Sequence, residues 1–132
     1  MENFIPDIYQ KNIYDIDYHK LKKRGIKCLL FDLDNTLVPV KTDTPTKKVK
    51  ELFHFLETDF KVIIISNSNR KRLIPFKEGL NVDVAASAHK PFKKKYLKIM
   101  ATYKFKEHEI AAIGDQLLTD IYGAIKLVLP QF

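Results

Sequence analysis

Phe31-Asp32-Leu33-Asp34-Asn35-Thr36-Leu37-Val38, residues 31–38, follows directly on the apolar run 26–31. A run of that composition reads as a buried strand, so the polar residues after it stand at the strand's carboxyl end. Residues i and i+2 of a strand share a face, which would set Asp32 and Asp34 side by side. Two carboxylates at the rim of a core are costly unless a cation or a proton offsets them. Magnesium favours oxygen ligands and is commonly held by one or two carboxylates together with phosphate oxygens, so the segment points to phosphoryl chemistry. Alone, the same pattern also fits a helix N-cap followed by a turn.

Three further segments narrow the choice. Ile63-Ile64-Ile65-Ser66-Asn67 closes a second apolar run, His89-Lys90-Pro91 follows a third, and Gly114-Asp115-Gln116-Leu117-Leu118-Thr119-Asp120 follows a fourth. In an open parallel α/β sheet, ligands gather outside the carboxyl ends of the strands. Four polar segments far apart in sequence can therefore converge on one small volume.

This ordered set, DxDxT, a serine, a lysine and a GDxxxxD-type acidic motif, resembles the haloacid dehalogenase superfamily of phosphohydrolases, subfamily IIIA. The wording of its motifs is similar to the bacterial YqeG group, whose relatives include mitochondrial phosphatidylglycerophosphatases. The likeness spans Ile26 to about Tyr122. It implies a three-layer α/β/α Rossmann-like fold around a parallel sheet of four to five strands. It also implies that Asp32 is the nucleophile, Asp34 the acid and base, and Lys90 a charge that stabilises the phosphate. Ser66, Asn67 and Thr36 would line the substrate, and Asp32, Asp34 and Asp115 would hold Mg2+. Asp120 would orient Lys90 or a metal-bound water, or serve only as an acid at a helix start. The stretches between Thr36 and Ser66 and between Ser66 and Lys90 each hold one loop and one helix. No cap domain fits there, so the site is expected to be open to bulky or surface-bound phosphate esters, a lipid phosphate or a phosphoprotein among them.

The chain of 132 residues has the length of a single domain, expected to cover 1–132, with 1–25 forming an N-terminal arm and a short helix. Its 45% hydrophobic content is ordinary for a globular protein, and no apolar run approaches a membrane span. The N-terminus lacks the pattern of a secretory signal, so a cytoplasmic protein is expected, with peripheral contact at an anionic membrane open to it. Cys28 is the one cysteine, which excludes an internal disulfide, and its place in a strand-like run reads as a small buried thiol. Lys and Arg number 23 against 16 Asp and Glu, a formal +7. The lysine clusters fit solvated helix faces. They also fit steering of phosphorylated substrates, anionic lipid headgroups or nucleic acid. The competing reading is a non-catalytic, basic anion- or RNA-binding module on a degraded scaffold; the intact acidic motifs favour the enzyme. No Cys/His cluster has zinc spacing and no Walker loop is present, leaving magnesium as the expected cofactor.

Along the chain, Asp17 reads as an N-cap and Gly25 as the residue ending a short helix. The first strand is expected over 26–31. A helix with Pro45 at its first position would bury Val49, Leu52, Phe53 and Leu56. Strands are expected at 61–65, 82–86 and 110–113. A helix capped by Asn69, kinked or shortened by Pro75, would end near Gly79, and one opened by Pro91 would bury Tyr96, Ile99, Met100 and Tyr103. Regular alternation of strand and helix argues for a parallel sheet. After Asp120 the chain looks short of the family pattern. Residues 121–132 would make only a short helix and a stub, leaving the fourth strand open to pairing as a homodimer edge.

Overall fold

The computed structural model describes residues 13–33, 44–66, 70–86, 92–113 and 125–127. Five strands, β1 (Cys28–Asp32), β2 (Lys61–Ser66), β3 (Asp83–Ala86), β4 (Ile110–Ile113) and β5 (Ile125–Leu127), form one sheet in the order β3-β2-β1-β4-β5. Every neighbouring pair is parallel. Helices α1 (Tyr18–Lys23), α2 (Lys47–Leu56), α3 (Arg70–Leu80) and α4 (Phe92–Tyr103) accompany it.

Strand alternation sorts the core into two layers. Leu29, Phe31, Val62, Ile64, Ala111 and Ile113 pack with α1, α2 and α3. Cys28, Leu30, Ile63, Ile65, Ile110 and Ala112 pack with Ile99, Met100 and Tyr103 of α4 on the other face. Leu29, Leu30 and Phe31 are all fully buried, which is why their segment shows no polar alternation. The Phe31 ring meets Phe53 of α2 at 5.1 Å between centroids, holding that helix over the central strand.

Residues 13–18, the described part of the N-terminal arm, contribute to the core. Ile13, in a 3-10 turn over Ile13–Asp15, and Ile16 are buried in the first layer. The buried Tyr18 hydroxyl donates to the Ile13 carbonyl at 2.7 Å, and burial pushes its pKa up. The Lys48 Nζ lies 4.2 Å from the centre of the Tyr14 ring, tying this segment to α2. The Asp17 carboxylate caps α1, accepting from the Lys20 N–H at 3.0 Å.

Several boundaries differ from the sequence expectation for identifiable reasons. At the end of α1, Gly25 takes a left-handed φ of +94. The Gly25 N–H donates to the Lys22 carbonyl and the Ile26 N–H to the Leu21 carbonyl, the paired bonds of a Schellman motif. Ile26 is thus consumed by the helix end, and the strand begins at Cys28. Helix α2 starts at Lys47, two residues after Pro45, because the Thr46 hydroxyl accepts from the Val49 N–H at 3.2 Å. Pro75 sits inside α3 without shortening it, and the helix runs past Gly79 to Leu80. Asn81, at φ +56, provides the left-handed exit. Gly79 serves close approach instead: a Cβ there would stand 2.8 Å from the Pro45 Cγ.

The largest correction concerns β4. Residues 125–127 supply a fifth strand, with Ala111 opposite Ile125 and Ile113 opposite Leu127. The expected stub therefore pairs, β4 lies between β1 and β5, and the proposed dimer edge along β4 is lost. Edge positions in this sheet belong to β3 and β5.

An Ala at an interior helix position normally stabilises relative to Gly by roughly 0.5–1 kcal/mol. At Gly79 the rigid Pro45 ring reverses the sign. Gly79→Ala is expected to lower stability by about 1 kcal/mol, as overpacking does, and Tm by a few degrees. A thermal melt in which the variant gains stability would show that the α3–Pro45 approach is loose.

Candidate active site

Strand β1 occupies the centre of the sheet and marks its topological switch. From it the chain winds outward through β2 and β3 on one side and through β4 and β5 on the other. The crevice outside the carboxyl ends at such a point is where open α/β sheets bind ligands. Asp32 is the last residue of β1, half-buried at this point. Its register partner on β2 is Ile65, and Phe31 faces Ile113, the last residue of β4. The sequence continues from there into Gly114-Asp115.

Ser66 ends β2, one position beyond the partner of Asp32, and is 1% exposed. It is the buried polar side chain among the described residues. The Leu33 N–H donates to the Ile65 carbonyl at 3.0 Å, so the β1–β2 ladder holds both strand ends together one residue past Asp32. Alternation places Asp32 on the side of Cys28 and Leu30, and Ser66 on the side of Val62 and Ile64. A group engaged by both must therefore straddle the carboxyl edge. Strand β1 ends at Asp32 with a turn at Leu33.

The structure thus brings Asp32 and Ser66 to adjacent strand ends. Asp34, Thr36, Asn67, Lys90, Asp115 and Asp120 lie outside the described residues, as do Asn35 and His89. Among the described residues, no three His, Cys, Asp or Glu side chains gather to hold a metal ion. Asp32 alone of the expected magnesium ligands is described. Its carboxylate, a hard oxygen donor at the rim of the sheet, suits that ion.

Polar structure at the opposite edge has a different character. A cavity of about 180 Å³ lined by Glu57, Phe60, Lys61, Val62, Asn81 and Val82 opens at the amino ends of β2 and β3, remote from Asp32. Beside it the Tyr103 hydroxyl donates to the Asp83 carboxylate, and the Lys61 Nζ stands 3.0 Å from the same carboxylate and 5.1 Å from the Tyr103 ring centre. The hydroxyl first, then the ammonium, hold the Asp83 carboxyl below the usual range. Burial, with the Asp83 bond and charge added, pushes the Tyr103 hydroxyl up to about 12. Burial likewise pushes the Cys28 thiol up to about 12, matching the expectation of an inert core cysteine. Sequence reading missed the Lys61–Asp83–Tyr103 cluster because its members are isolated in sequence and meet only through strand register and helix packing.

A family model described as mitochondrial PGP phosphatase matches residues 1–127. The chain belongs to this family. It is 39% identical over 121 residues to the probable phosphatase YqeG of Bacillus subtilis, covering 91% of this chain and 70% of that protein. Among solved structures, a cobalt-bound deoxy-D-mannose-octulosonate 8-phosphate phosphatase from Haemophilus influenzae matches with a TM-score of 0.61 at 17% identity, over 71% of this chain and 61% of that one. A Legionella pneumophila structure described as a HAD superfamily (subfamily III A) hydrolase gives 0.57 at 21%, over 73% and 58%. The phosphatase domain of a Bacteroides fragilis protein, complexed with Mg, gives 0.63 at 17%, over 83% and 38%. The chain spans about three fifths or less of the length of these solved chains, and at such identities they show the fold: family member and haloacid dehalogenase architecture agree. No helix among the described residues is long and apolar enough to cross a membrane.

The Asp83 cluster yields a pH prediction. A carboxyl whose folded pKa is depressed contributes stability that is present above its unfolded pKa and lost as pH falls through the folded value. The stability difference between the parent and Asp83→Asn should therefore be full at neutral pH and shrink as pH drops below about 4, the ordinary aspartate range. Urea unfolding across an acid pH series checks this. A difference that stays constant down to the lowest pH would assign the effect to packing.

Proposed function

We propose that the chain is a magnesium-dependent phosphohydrolase that cleaves a phosphate monoester through an aspartyl-phosphate, with a phosphatidylglycerophosphate-type lipid as substrate. The observation that carries this reading is the position of Asp32: a carboxylate at the carboxyl end of the central strand and at the topological switch, in a member of a phosphatase family. The lipid assignment rests on the family's description and on the absence from the sequence of room for a lid between the motifs.

In this reading an Asp32 oxygen attacks phosphorus, and the bond from phosphorus to the ester oxygen breaks. Asp34 gives its proton to the departing alkoxide. It then takes a proton from water, which attacks the phosphorus of the aspartyl-phosphate, breaks its bond to the Asp32 oxygen and leaves inorganic phosphate. Ser66, at the adjoining strand end, offers a hydroxyl to the phosphate oxygens; Asn67 and Thr36 assist from the flanking loops. Lys90 supplies a point charge to the same oxygens, and Asp120 orients it. Asp32, the Asp34 main-chain carbonyl and Asp115 would hold magnesium, which when bound screens the repulsion between carboxylate and phosphate.

Asp32→Asn removes the nucleophile with little change in shape. Its turnover of a soluble aryl phosphate and of vesicle-borne phosphatidylglycerophosphate should fall on the order of a thousand-fold or more, and chelation with EDTA should silence the parent. Parent-like turnover by the purified variant would remove the aspartyl-phosphate route. Turnover of soluble esters with none of the lipid would leave the chemistry standing and reject the lipid.

A further inference from the structure

Helix C-termini attract cations, because the macrodipole leaves partial negative charge on the last carbonyls. Helices α2 and α3 place their cations the other way round. Lys47, Lys48 and Lys50 open α2, and Arg70, Lys71 and Arg72 open α3, with no acid in either first turn. Their last turns hold one basic residue each, His54 and Lys77, and Lys77 adds its charge to the field on Asp83. Glu57, the C-cap residue of α2, puts a carboxylate at the same end. The two helix ends are thus left more negative than helix ends usually are.

These ends frame the cavity of about 180 Å³ at the amino ends of β2 and β3. Phe60, Val62 and Val82, all buried in the first core layer, give it an apolar floor. The exposed Glu57 and Asn81 stand at its mouth. Lys61 lines it through its main chain. Alternation along β2 turns the Lys61 side chain to the other face, where its Nζ stands 3.0 Å from the Asp83 carboxylate and 5.1 Å from the Tyr103 ring centre. Lys22, also near this edge, is paired with Asp59 at 2.7 Å. Glu57 is therefore the lining residue whose charge faces the cavity. In a chain of formal +7, a hollow with an apolar floor and a negative mouth is opposite in sign to the molecule as a whole.

We propose that this cavity binds a small organic cation, a primary ammonium or guanidinium carried on a short apolar body. The cation takes the place that a lysine or arginine fills at other helix ends, donating to the Glu57 carboxylate and the Asn81 side-chain oxygen. Its body covers Phe60, Val62 and Val82 and is removed from water there. Pockets for drug-sized ligands run from about 300 to 1,000 Å³, so this smaller one suits a ligand the size of an amino-acid side chain. The carboxylate and the helix ends repel anions. A bare metal ion would leave the apolar floor unused, and no three His, Cys, Asp or Glu side chains converge to hold one among the described residues. This site is remote from the Asp32 edge and operates whatever chemistry that edge performs.

Amide NMR of the full chain, titrated separately with phenethylamine, agmatine, 2-phenylethanol and phenylacetate, tests the assignment. At least one of the two cations should shift the Val62, Asn81 and Val82 amides saturably and raise Tm, as any ligand of the folded state does. Phenylacetate should leave these amides in place, and 2-phenylethanol should bind about tenfold more weakly than phenethylamine. Glu57→Gln alters an exposed position, so the core stays intact and a parent-like melt verifies it. This variant should bind the cation about tenfold more weakly, the effect of losing one charge-assisted hydrogen bond. Glu51→Gln makes the same charge change at an exposed α2 position outside the lining and should bind as the parent does. Asn81→Gly keeps the left-handed backbone while removing the amide, and should weaken binding severalfold. Saturable shifts with neither cation, equal binding of phenylacetate or 2-phenylethanol, equal weakening by Glu57→Gln and Glu51→Gln, or shifts confined to residues outside the lining would each overturn the assignment. Hydrolysis plays no part in these readouts, so loss of the catalytic reading and loss of this one remain distinguishable.

Discussion

Strand β1 is hydrogen-bonded on both sides and covered on both faces, and this double enclosure governs what the rest of the molecule can do. With β2 and β4 as neighbours, its backbone groups are satisfied along the ladder. Leu29, Leu30 and Phe31, buried without remainder, each contribute roughly 1.5–3 kcal/mol of apolar burial. A charged side chain anywhere along this run would be desolvated with no partner. Chemistry is therefore confined to the first position at which the enclosure opens, and in β1 that position is Asp32. The same reasoning places Ser66 at the end of β2, where a hydroxyl can remain buried because its surroundings include the polar ends of neighbouring strands.

Such enclosure also explains which parts of the fold are legible in the amino-acid sequence. Residues 61–65 and 110–113 read as strands because two-sided burial leaves an unbroken aliphatic run, and the structure places β2 and β4 there. Val49, Phe53 and Leu56 read as one helical face and are buried together. Less legible were ends set by single hydrogen bonds: the Thr46 hydroxyl overrode the attraction of Pro45 as a helix opener, and the Schellman bonds at Gly25 and Ile26 delayed β1. Pro75 and Gly79 misled for a related reason. Both residues read locally as breakers, yet α3 continues through them because Leu73, Phe76 and Leu80 are buried on its inner face. The sheet was expected to hold four to five strands, but the place of the fifth was not legible because a three-residue strand has no period to detect. Its existence follows from pairing with β4, a partner far away along the chain.

At the candidate site, residue types and order were readable because parallel topology turns distant strand ends into neighbours. Asp32 and Ser66 meet in this way. Their opposite orientations across the sheet could not be derived from motif spacing, since they follow from a one-residue offset in register between β1 and β2. The acidic and lysine positions 34, 90 and 115, beyond the described residues, are assigned by resemblance to the family pattern.

The two edges of the sheet place charge differently. At the amino edge, Lys22 pairs with Asp59 and Lys27 with Glu109, and Lys61, Asp83 and Tyr103 fasten α4 to the start of β2 and β3. At the carboxyl edge, basic first turns surround strand ends that carry a carboxylate, an arrangement less favourable for the isolated helices than the reverse. A fold selected only for stability would place acids at those helix starts, where each gains from the dipole. Distributing the cations there instead raises the local potential and draws anionic groups toward the strand ends. The helix starts thus give up a little local stability for a field that favours an anionic group at the strand end carrying the proposed nucleophile.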